Sequence, residues 1–402
     1  EAELQKMCQI IDEGMDAGGC GWSSQVLGPL SLQRDYDGTP MITDLMSDEE
    51  LLTFARVLAK RDQGFIELTY RQTGEEGELL EDVNKKFFET MAAAAKRPII
   101  YQTVKANARD PQIHRKTLAW LEECNNRGLR LYGQGSTRMS NTEFTFEDFN
   151  LFDDSPYWRE ATLGTPQERK QKLQDPELRR LMREEWDGGF RPGLGASITG
   201  SFEGLIVEEV ADPAFEPFVG LNMKDVAAKQ DKHIVDAMLD LVVGDNLQTE
   251  FLSLRGLDNP EYTGEVLRSI YVIPGVSDGG AHVKFSVGGS YPTETLTTLV
   301  RDEGVLSLEE AHHTLSYLPA FFGGFQDRGV LREGSPADIV VYDLEGLELL
   351  PSEVAHDLPG GEWRRIQKAK GYRWTMVNGE ITLEDGEPTG AVSGKLLRHG
   401  KA

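Results

Sequence analysis

The sequence is poor in cysteine and has no long apolar run. Its 402 residues include only three cysteines, Cys8, Cys20 and Cys124, which are too few for a disulfide framework and lack the paired spacing of a zinc finger. No apolar run reaches the roughly 18–20 residues that a membrane-spanning helix needs. We therefore expect a reduced, cytoplasmic protein that does not act at a membrane.

Positive charge is the second shortage. The chain carries 42 Lys and Arg against 67 Asp and Glu, which gives a formal net charge of −25. Nucleic acids and anionic membranes are polyanions that bind through Lys and Arg, so neither is expected as the main partner. The hydrophobic share of 39% with 27% charged residues is typical of a globular protein. At about 150 residues per domain, the length predicts two to three domains.

Short apolar strands alternate with helical stretches up to about residue 135. Strands are predicted at 20–27, 64–70, 98–104 and 129–133, helices lie between them, and one more strand is predicted at 269–274. This alternation predicts a parallel sheet with crossover helices. The carboxyl ends of such strands share one edge, where an α/β barrel carries its chemistry.

Two regions depart from this alternation. Residues 140–262 are less regular and contain a charged helix or helix pair at 165–185, a possible strand at 205–210 and a helix at 222–243. Turns and short strands follow residue 328, with a hairpin at 372–383 around Asn378 and Gly379. We expect an α/β body at 1–327, with a lid or insertion around 140–262, and a small β domain at 328–402.

The most informative motif is Gly-Val-Ser-Asp-Gly-Gly-Ala-His at residues 275–282, directly after an apolar strand. It places the carboxylate of Asp278 at the catalytic edge, and Gly279 allows the backbone to approach a ligand closely. A carboxylate there can bind a divalent metal or accept a proton from a metal-bound water. An Asp that only caps the next turn is the alternative, and His282 alone is equally typical of a structural histidine.

A longer block carries a family resemblance. Residues 275–282, the segment SLEEAHHTLSYLPAFFGGFQDRGVLREGSPADIVVYD at 307–343 and the VNGE at 377–380 resemble the amidohydrolase superfamily, in particular its N-acyl-D-amino-acid deacylase (D-aminoacylase-like) branch. The resemblance implies a TIM-like (β/α)8 barrel, with strands four to eight in this chain, and a β-sandwich completed by the C-terminal segment. It also implies a homo-oligomeric hydrolase that cleaves an amide bond of a small N-acylated substrate, with Asp278 as metal ligand and proton shuttle.

The sequence departs from the family pattern in two places. The His-x-His or His-x-Asp of the family's first strand is absent, so we expect an N-terminal part of the same protein, or a companion polypeptide, to supply it. The histidines of the fifth and sixth strands are replaced by Tyr70, beside Thr69, and by Thr103. Neutral hydroxyls bind Zn²⁺ poorly, so we expect one zinc or other divalent ion at most.

Polar residues at the strand ends are the remaining candidates. Arg71, Lys105 and Gln134 can orient a carboxylate or carbonyl of the substrate, unless they are only surface or ion-paired residues. Tyr70 can donate to a developing oxyanion, unless it only packs. The predicted substrate-binding residues are Tyr70, Arg71, Thr103, Lys105, Gln134, Gly279 and His282. Two other functions stay open, namely non-hydrolytic or metal-free chemistry on the same fold, and an inactive binding subunit.

Overall fold

The computed structural model describes residues 2–29, 35, 39–71, 80–108, 110–137, 142–147, 152, 155–190, 202–253, 259–275, 277 and 282–399. The strands in these ranges are β1 Gly21–Ser24, β2 Phe65–Thr69, β3 Ile99–Val104, β4 Leu131–Ser136, β5 Thr142–Phe144, β6 Ile206–Glu209, β7 Glu250–Ser253, β8 Val272–Gly275, β9 Ile339–Tyr342, β10 Glu348–Ala355, β11 Arg364–Lys370, β12 Tyr372–Val377, β13 Glu380–Glu384 and β14 Glu387–Pro388.

The α-helices in the described ranges are α1 Ala2–Ala17, α2 Asp48–Arg61, α3 Leu80–Ala95, α4 Gln112–Asn126, α5 Pro156–Thr162, α6 Pro166–Gln174, α7 Pro176–Asp187, α8 Met223–Gln230, α9 Ile234–Gly244, α10 Pro260–Leu267, α11 Tyr291–Glu294, α12 Leu308–His312 and α13 Leu318–Phe322. Two π-helical segments, Thr295–Asp302 and His313–Tyr317, follow α11 and α12.

Five parallel strands form the central sheet, in the order β1-β2-β3-β4-β8. All five predicted strands are therefore present, and the predicted α/β class with a parallel sheet is confirmed. The helix α2 begins where its capping box predicts, because the Ser47 hydroxyl accepts from the Glu50 amide and the Glu50 carboxylate accepts from the Ser47 amide.

The central sheet has two different faces. On β2, Ile66 and Leu68 are fully buried in a core shared with α2, α3 and α4, whereas Glu67 and Thr69 are partly exposed. Successive side chains of a strand point to opposite faces, so Glu67 and Thr69 lie on the face away from these helices. The sheet therefore has one dry face and one face that carries polar groups.

Residues 140–262 build a second core. The antiparallel sheet β5-β7-β6 packs with α5 to α9 around large apolar side chains, among them Phe144, Trp158 and Phe251. The charged pair α6 and α7 matches the predicted helix pair, and it buries Leu173 and Met182 on its inner side. The single helix predicted at 222–243 was wrong, because Asp231 ends α8 in a left-handed conformation before α9 begins.

The β strands after residue 328 form two small antiparallel sheets. The predicted hairpin is confirmed, since β12 and β13 pair through Asn378 and Gly379, which both have the positive φ of a type I′ turn. Among residues 328–398, Leu347 is the only one that is buried. These sheets therefore lack the dry interior of a two-layer sandwich within the described residues.

The end of the described chain returns to the central sheet. The Gly64 amide, next to the start of β2, donates to Nδ1 of His399 over 3.1 Å. Arg398 donates to the Asp16 carbonyl over 2.9 Å, and Leu396 packs against Gly18. Residues 396–399 thus hold α1 to the amino-terminal edge of the sheet.

His399 makes the stability of this contact depend on pH. Burial lowers the pKa of His399 below its ordinary 6.5, and its Nδ1 must be unprotonated to accept from Gly64. Because the unfolded chain binds the proton more readily, the stability that His399 contributes is present above pH 6.5 and is lost as the pH falls below it.

We therefore expect His399→Ala to lower the free energy of unfolding by about 1–3 kcal/mol near neutral pH, since a buried amide loses its partner. The difference in the free energy of unfolding between His399→Ala and the unsubstituted protein should become smaller in urea titrations at progressively lower pH. His356→Ala, at an exposed histidine, is the control. A loss for His399→Ala that is the same at every pH would contradict this account.

Candidate functional site

A row of polar side chains crosses the carboxyl ends of three central strands. Thr69 of β2 is in register with Gln102 of β3, and Gln102 is in register with Gln134 of β4. Neighbouring strands lie about 4.8 Å apart, so these three side chains form one row on the sheet. Thr69 belongs to the face away from the helices, so the row offers a hydroxyl and two amides for a small polar ligand.

Gln134 is the member of this row that lies nearest to the Asp278 motif. Its Oε1 atom is buried and has no hydrogen-bond partner among the residues that the structure describes. Gly275, the last residue of β8, lies directly against it, since a Cβ there would be 3.4 Å from Nε2 of Gln134. Gln134 therefore lies near the carboxyl end of β4 beside β8, and its predicted role in substrate binding stays a prediction.

Thr69 has a structural contact at the start of the row. Its hydroxyl accepts from the Val26 amide over 2.8 Å. The buried carboxylate of Asp44 accepts from the Leu27 amide over 2.7 Å and from Nε2 of Gln25 over 2.8 Å. The chain after β1 is thus fixed across the carboxyl end of β2.

Arg71 turns towards the helices. Its guanidinium ion-pairs with Asp48 and lies over the Phe87 ring at 4.3 Å, while its backbone amide donates to Asn84 over 2.7 Å. These contacts match the ion-paired alternative that the sequence left open. Its role in substrate binding stays a prediction.

Tyr70 also has aromatic neighbours on the helix side. Its ring lies 6.5 Å from that of Tyr101, and Tyr101 packs edge-on against Phe88 and Trp120. Burial raises the pKa of Tyr101 to about 12, so that phenol stays protonated. The Tyr70 ring therefore has a packing role, and its predicted donation to an oxyanion is not tested by these contacts.

Thr103 and Lys105 lie at the end of β3. The pairing of β3 with β4 slips by one residue between Gln102 and Val104, so Thr103 is the extra residue of an irregular register. Such irregularities re-aim a side chain at the end of a strand. Lys105 is exposed directly after the strand. The predicted roles of both residues in substrate binding stay predictions.

Asp278 and Gly279 lie outside the described residues, but the residues on both sides of them are described. Before them, the carbonyl of Ser277 lies so close to Gly288 that a Cβ on that glycine would overlap it. After them, His282 has a positive φ of 57°, and its carbonyl accepts from the Phe285 and Ser286 amides. The His282 ring packs on Phe285 with a centroid distance of 4.7 Å, so the histidine begins a turn.

Sequence reasoning missed two residues on the polar face of the central sheet. Glu67 lies one layer below Thr69 on β2, and Gln102 stands between Thr69 and Gln134 in the polar row. The signal that finds Glu67 is the period-two alternation of Phe65–Thr69. The strand Ile99–Val104 has no such alternation, so Gln102 is found only from its register with Thr69 and Gln134.

The described residues do not by themselves fit a zinc centre. No group of three or more His, Cys, Asp or Glu in the described ranges is placed to hold a metal ion. The two strand ends that carry histidines in the family present hydroxyls, at Tyr70 and Thr103, which are poor zinc ligands. A metal at this edge would need Asp278 and further ligands from outside the described part of the chain.

A family model matches the C-terminal part of the chain. Residues 231–383 match the family model Amidohydro_3, described as "Amidohydrolase family". This part of the chain is similar to amidohydrolases. The matched residues include the Asp278 motif, α12 and the strands β9 to β13, which are the segments that carried the resemblance in the sequence. The resemblance to a D-aminoacylase-like amidohydrolase is therefore confirmed.

One curated relative and two solved structures extend the comparison. The N-acyl-D-aspartate deacylase of Alcaligenes xylosoxydans xylosoxydans is 37% identical over 111 residues, which are 27% of this chain and 20% of that protein. A crystal structure of D-aminoacylase superposes with a TM-score of 0.55 at 17% identity and covers 97% of this chain and 65% of its own.

The N-acyl-D-glutamate deacylase of Bordetella bronchiseptica, solved with zinc and a phosphonate inhibitor, gives a TM-score of 0.51 at 16% identity and covers 96% of this chain and 65% of its own. The chain thus spans about two thirds of the length of these solved proteins and matches a fifth of the curated relative. At this identity the superpositions show the α/β fold with its attached β strands.

The helices were also searched for a membrane span. Among the described residues, none of the helices combines the length and the apolar character that crossing a membrane requires.

The contact of Asp44 beside the polar row can be tested directly. We expect Asp44→Ala to lower the free energy of unfolding by about 2–3 kcal/mol, because a buried amide loses a charged acceptor. Asp12→Ala, at an exposed aspartate that pairs with Arg61, should cost less than about 1 kcal/mol. Chemical denaturation of both variants measures the difference, and equal losses would show that Asp44 does not fix this segment.

Proposed function

We propose that this protein hydrolyses the amide bond of a small N-acyl amino acid. The observation that carries the proposal is the amidohydrolase match over residues 231–383, which includes the Asp278 motif at the carboxyl edge of a parallel sheet. The curated relative and the Bordetella structure are deacylases of N-acyl-D-aspartate and N-acyl-D-glutamate. They support N-acyl-D-amino acids as the substrate class, with acidic side chains as the first candidates.

Asp278 is proposed as the proton carrier of the reaction. The oxygen of a water attacks the acyl carbonyl carbon, and Asp278 accepts the proton that this water loses. Asp278 then donates the proton to the amide nitrogen, the C–N bond breaks, and a carboxylic acid and a free amine leave. General acid–base catalysis of this kind contributes roughly 10²- to 10⁴-fold in rate.

The polar row and its neighbours are proposed to hold the substrate. Gln134 contributes a buried carbonyl oxygen with no partner among the described residues, which is suited to a substrate N–H. Lys105 is proposed to bind the substrate carboxylate and Thr103 to bind the acyl group, because both lie at the end of β3. Tyr70, Arg71, Gly279 and His282 complete the proposed substrate-binding set.

One zinc or other divalent ion, with Asp278 as a ligand, belongs to the same proposal. Such an ion would polarise the carbonyl and lower the pKa of a bound water. The described residues do not supply its ligand set, so we assign no reaction step to it.

Further polypeptide is proposed to complete both the barrel and the sandwich. In the described part of the chain, β1 and β8 each pair with one neighbour only, which leaves two open sheet edges. The two C-terminal sheets have almost no buried residue of their own. The same protein or a companion chain would cover these surfaces and bring the remaining ligands, while a homo-oligomer and a cytoplasmic location stay predictions from the sequence.

Asp278→Asn tests the proposed chemistry. The amide of asparagine cannot carry the proton, so we expect kcat for N-acetyl-D-aspartate or N-acetyl-D-glutamate to fall by roughly 10²- to 10⁴-fold. Asp302→Asn, at an exposed residue paired with Arg301, should leave kcat unchanged. Steady-state kinetics with both D substrates and their L enantiomers measures this, and full turnover by Asp278→Asn would overturn the assignment.

Metal content separates this proposal from metal-free chemistry. We expect elemental analysis of protein purified without added metal to find about one divalent ion per chain, and a chelator to abolish amide hydrolysis. Metal-free protein that is folded and hydrolyses the same substrates at full rate would exclude the metal. Folded protein with neither metal nor hydrolysis would favour the non-hydrolytic alternative.

A further inference from the structure

Arg365 is a buried cation that the proposed chemistry does not use. It lies on β11, and its side chain is only 7% exposed. Its guanidinium forms ion pairs with Glu143 on β5, over 2.5 Å, and with Glu250 on β7. An arginine shared by two largely buried carboxylates is held in one orientation, because its planar fork sets the direction of every donor.

Arg365 also contacts the turn that follows Asp278, through its backbone and through its side chain. The Arg365 backbone amide donates to the carbonyl of Val283 over 2.7 Å, and its Nε donates to the carbonyl of Lys284 over 3.1 Å. These two carbonyls lie five and six residues after Asp278 in the chain. Arg365 thus connects this turn to the second core and to the C-terminal strands at once.

Two further contacts fix the same turn. The Glu143 amide donates to the carbonyl of Phe285 over 2.9 Å, and the Phe285 side chain is buried in the second core. Ser352 of β10 donates to the carboxylate of Glu143, which keeps that carboxylate in place for Arg365. The turn at 282–286 is therefore held from β5, from β11 and from the core.

The chain before Asp278 lies against the chain that follows the turn. Ser277 lies directly against Gly288, where only a glycine leaves room for its carbonyl. Four residues, 278–281, connect Ser277 to His282. A connection this short lets a displacement of the turn reach the carboxylate of Asp278.

Arg365 also balances the charge of its surroundings. Burial raises the pKa of Glu250, and the nearby Glu143 raises it further, whereas Arg365 acts in the opposite direction. Without the guanidinium, two carboxylates would face each other with little water between them. The surrounding strands would then have to separate, since unpaired buried charges are strongly unfavourable.

We propose that Arg365 is a positioning residue, which holds the turn 282–286 against the second core and thereby restrains the chain that follows Asp278. The expected effect of Arg365 on catalysis rests on the proposed function, whereas its effect on the position of the turn does not.

Matched variants of two adjacent arginines test the proposal. Arg364 precedes Arg365 on β11, is 41% exposed and pairs with Asp357. Arg365→Met should accelerate amide hydrogen exchange in the peptide that spans 277–288, and Arg364→Met should leave it unchanged. Arg365→Lys keeps the charge but loses the fork, so its exchange should be intermediate. Because this variant keeps the charge, it serves as the test if Arg365→Met does not fold.

Kinetics give the second measurement. Where N-acetyl-D-amino acids are turned over, we expect Arg365→Met to lower kcat by roughly 10- to 100-fold with little change in KM, since a displaced catalytic group still permits binding. Arg365→Lys should recover part of kcat, and Arg364→Met should match the unsubstituted protein.

Hydrogen exchange and kinetics together distinguish a failure of the proposed function from a failure of the inference about Arg365. An unsubstituted protein that hydrolyses no N-acyl amino acid refutes the proposed function, and the exchange data still decide whether Arg365 holds the segment. A folded Arg365→Met or Arg365→Lys with unchanged exchange at 277–288 overturns the inference. Faster exchange with unchanged kcat overturns its catalytic part.

Discussion

The constraint on which the structure depends is the parallel direction of its five central strands. Parallel strands need crossover helices, and these helices cover one face of the sheet with a continuous apolar core. The same direction brings all five carboxyl ends to one edge, where Thr69, Gln102 and Gln134 fall into register. The polar row needs no separate explanation, because it follows from alternation on strands whose other side is dry.

Much of this fold is predictable from short-range patterns. The five strands, the capping box at Ser47 and the hairpin at Asn378 and Gly379 each follow from a local rule of spacing or turn chemistry. The break between α8 and α9 does not, because Asp231 gives no stronger signal in the sequence than the other polar residues around it. The second core also depends on distant residues, such as Phe144 and Phe285, that only the folded chain brings together.

The site was predicted less completely than the fold. The strand pattern predicted Gln134 at the end of a strand, and its side chain lies against Gly275 of β8, while its role in substrate binding stays a prediction. Arg71 could not be assigned in the same way, because its partners Asp48 and Phe87 lie on two different helices. Arg365 gave no signal at all, since its role depends on strands more than a hundred residues away.

The return of residues 396–399 to the central sheet bears on how the chain folds. The bond between Gly64 and His399 closes a loop of 335 residues, and the bond between Asp16 and Arg398 closes one of 382 residues. Contacts between such distant residues form late, because the loop between them must first lose its freedom. During folding, α1 and the start of β2 therefore gain these contacts only when residues 396–399 reach the sheet. This part of the amino-terminal edge is thus stabilised late in folding, after the more local contacts of the central sheet have formed.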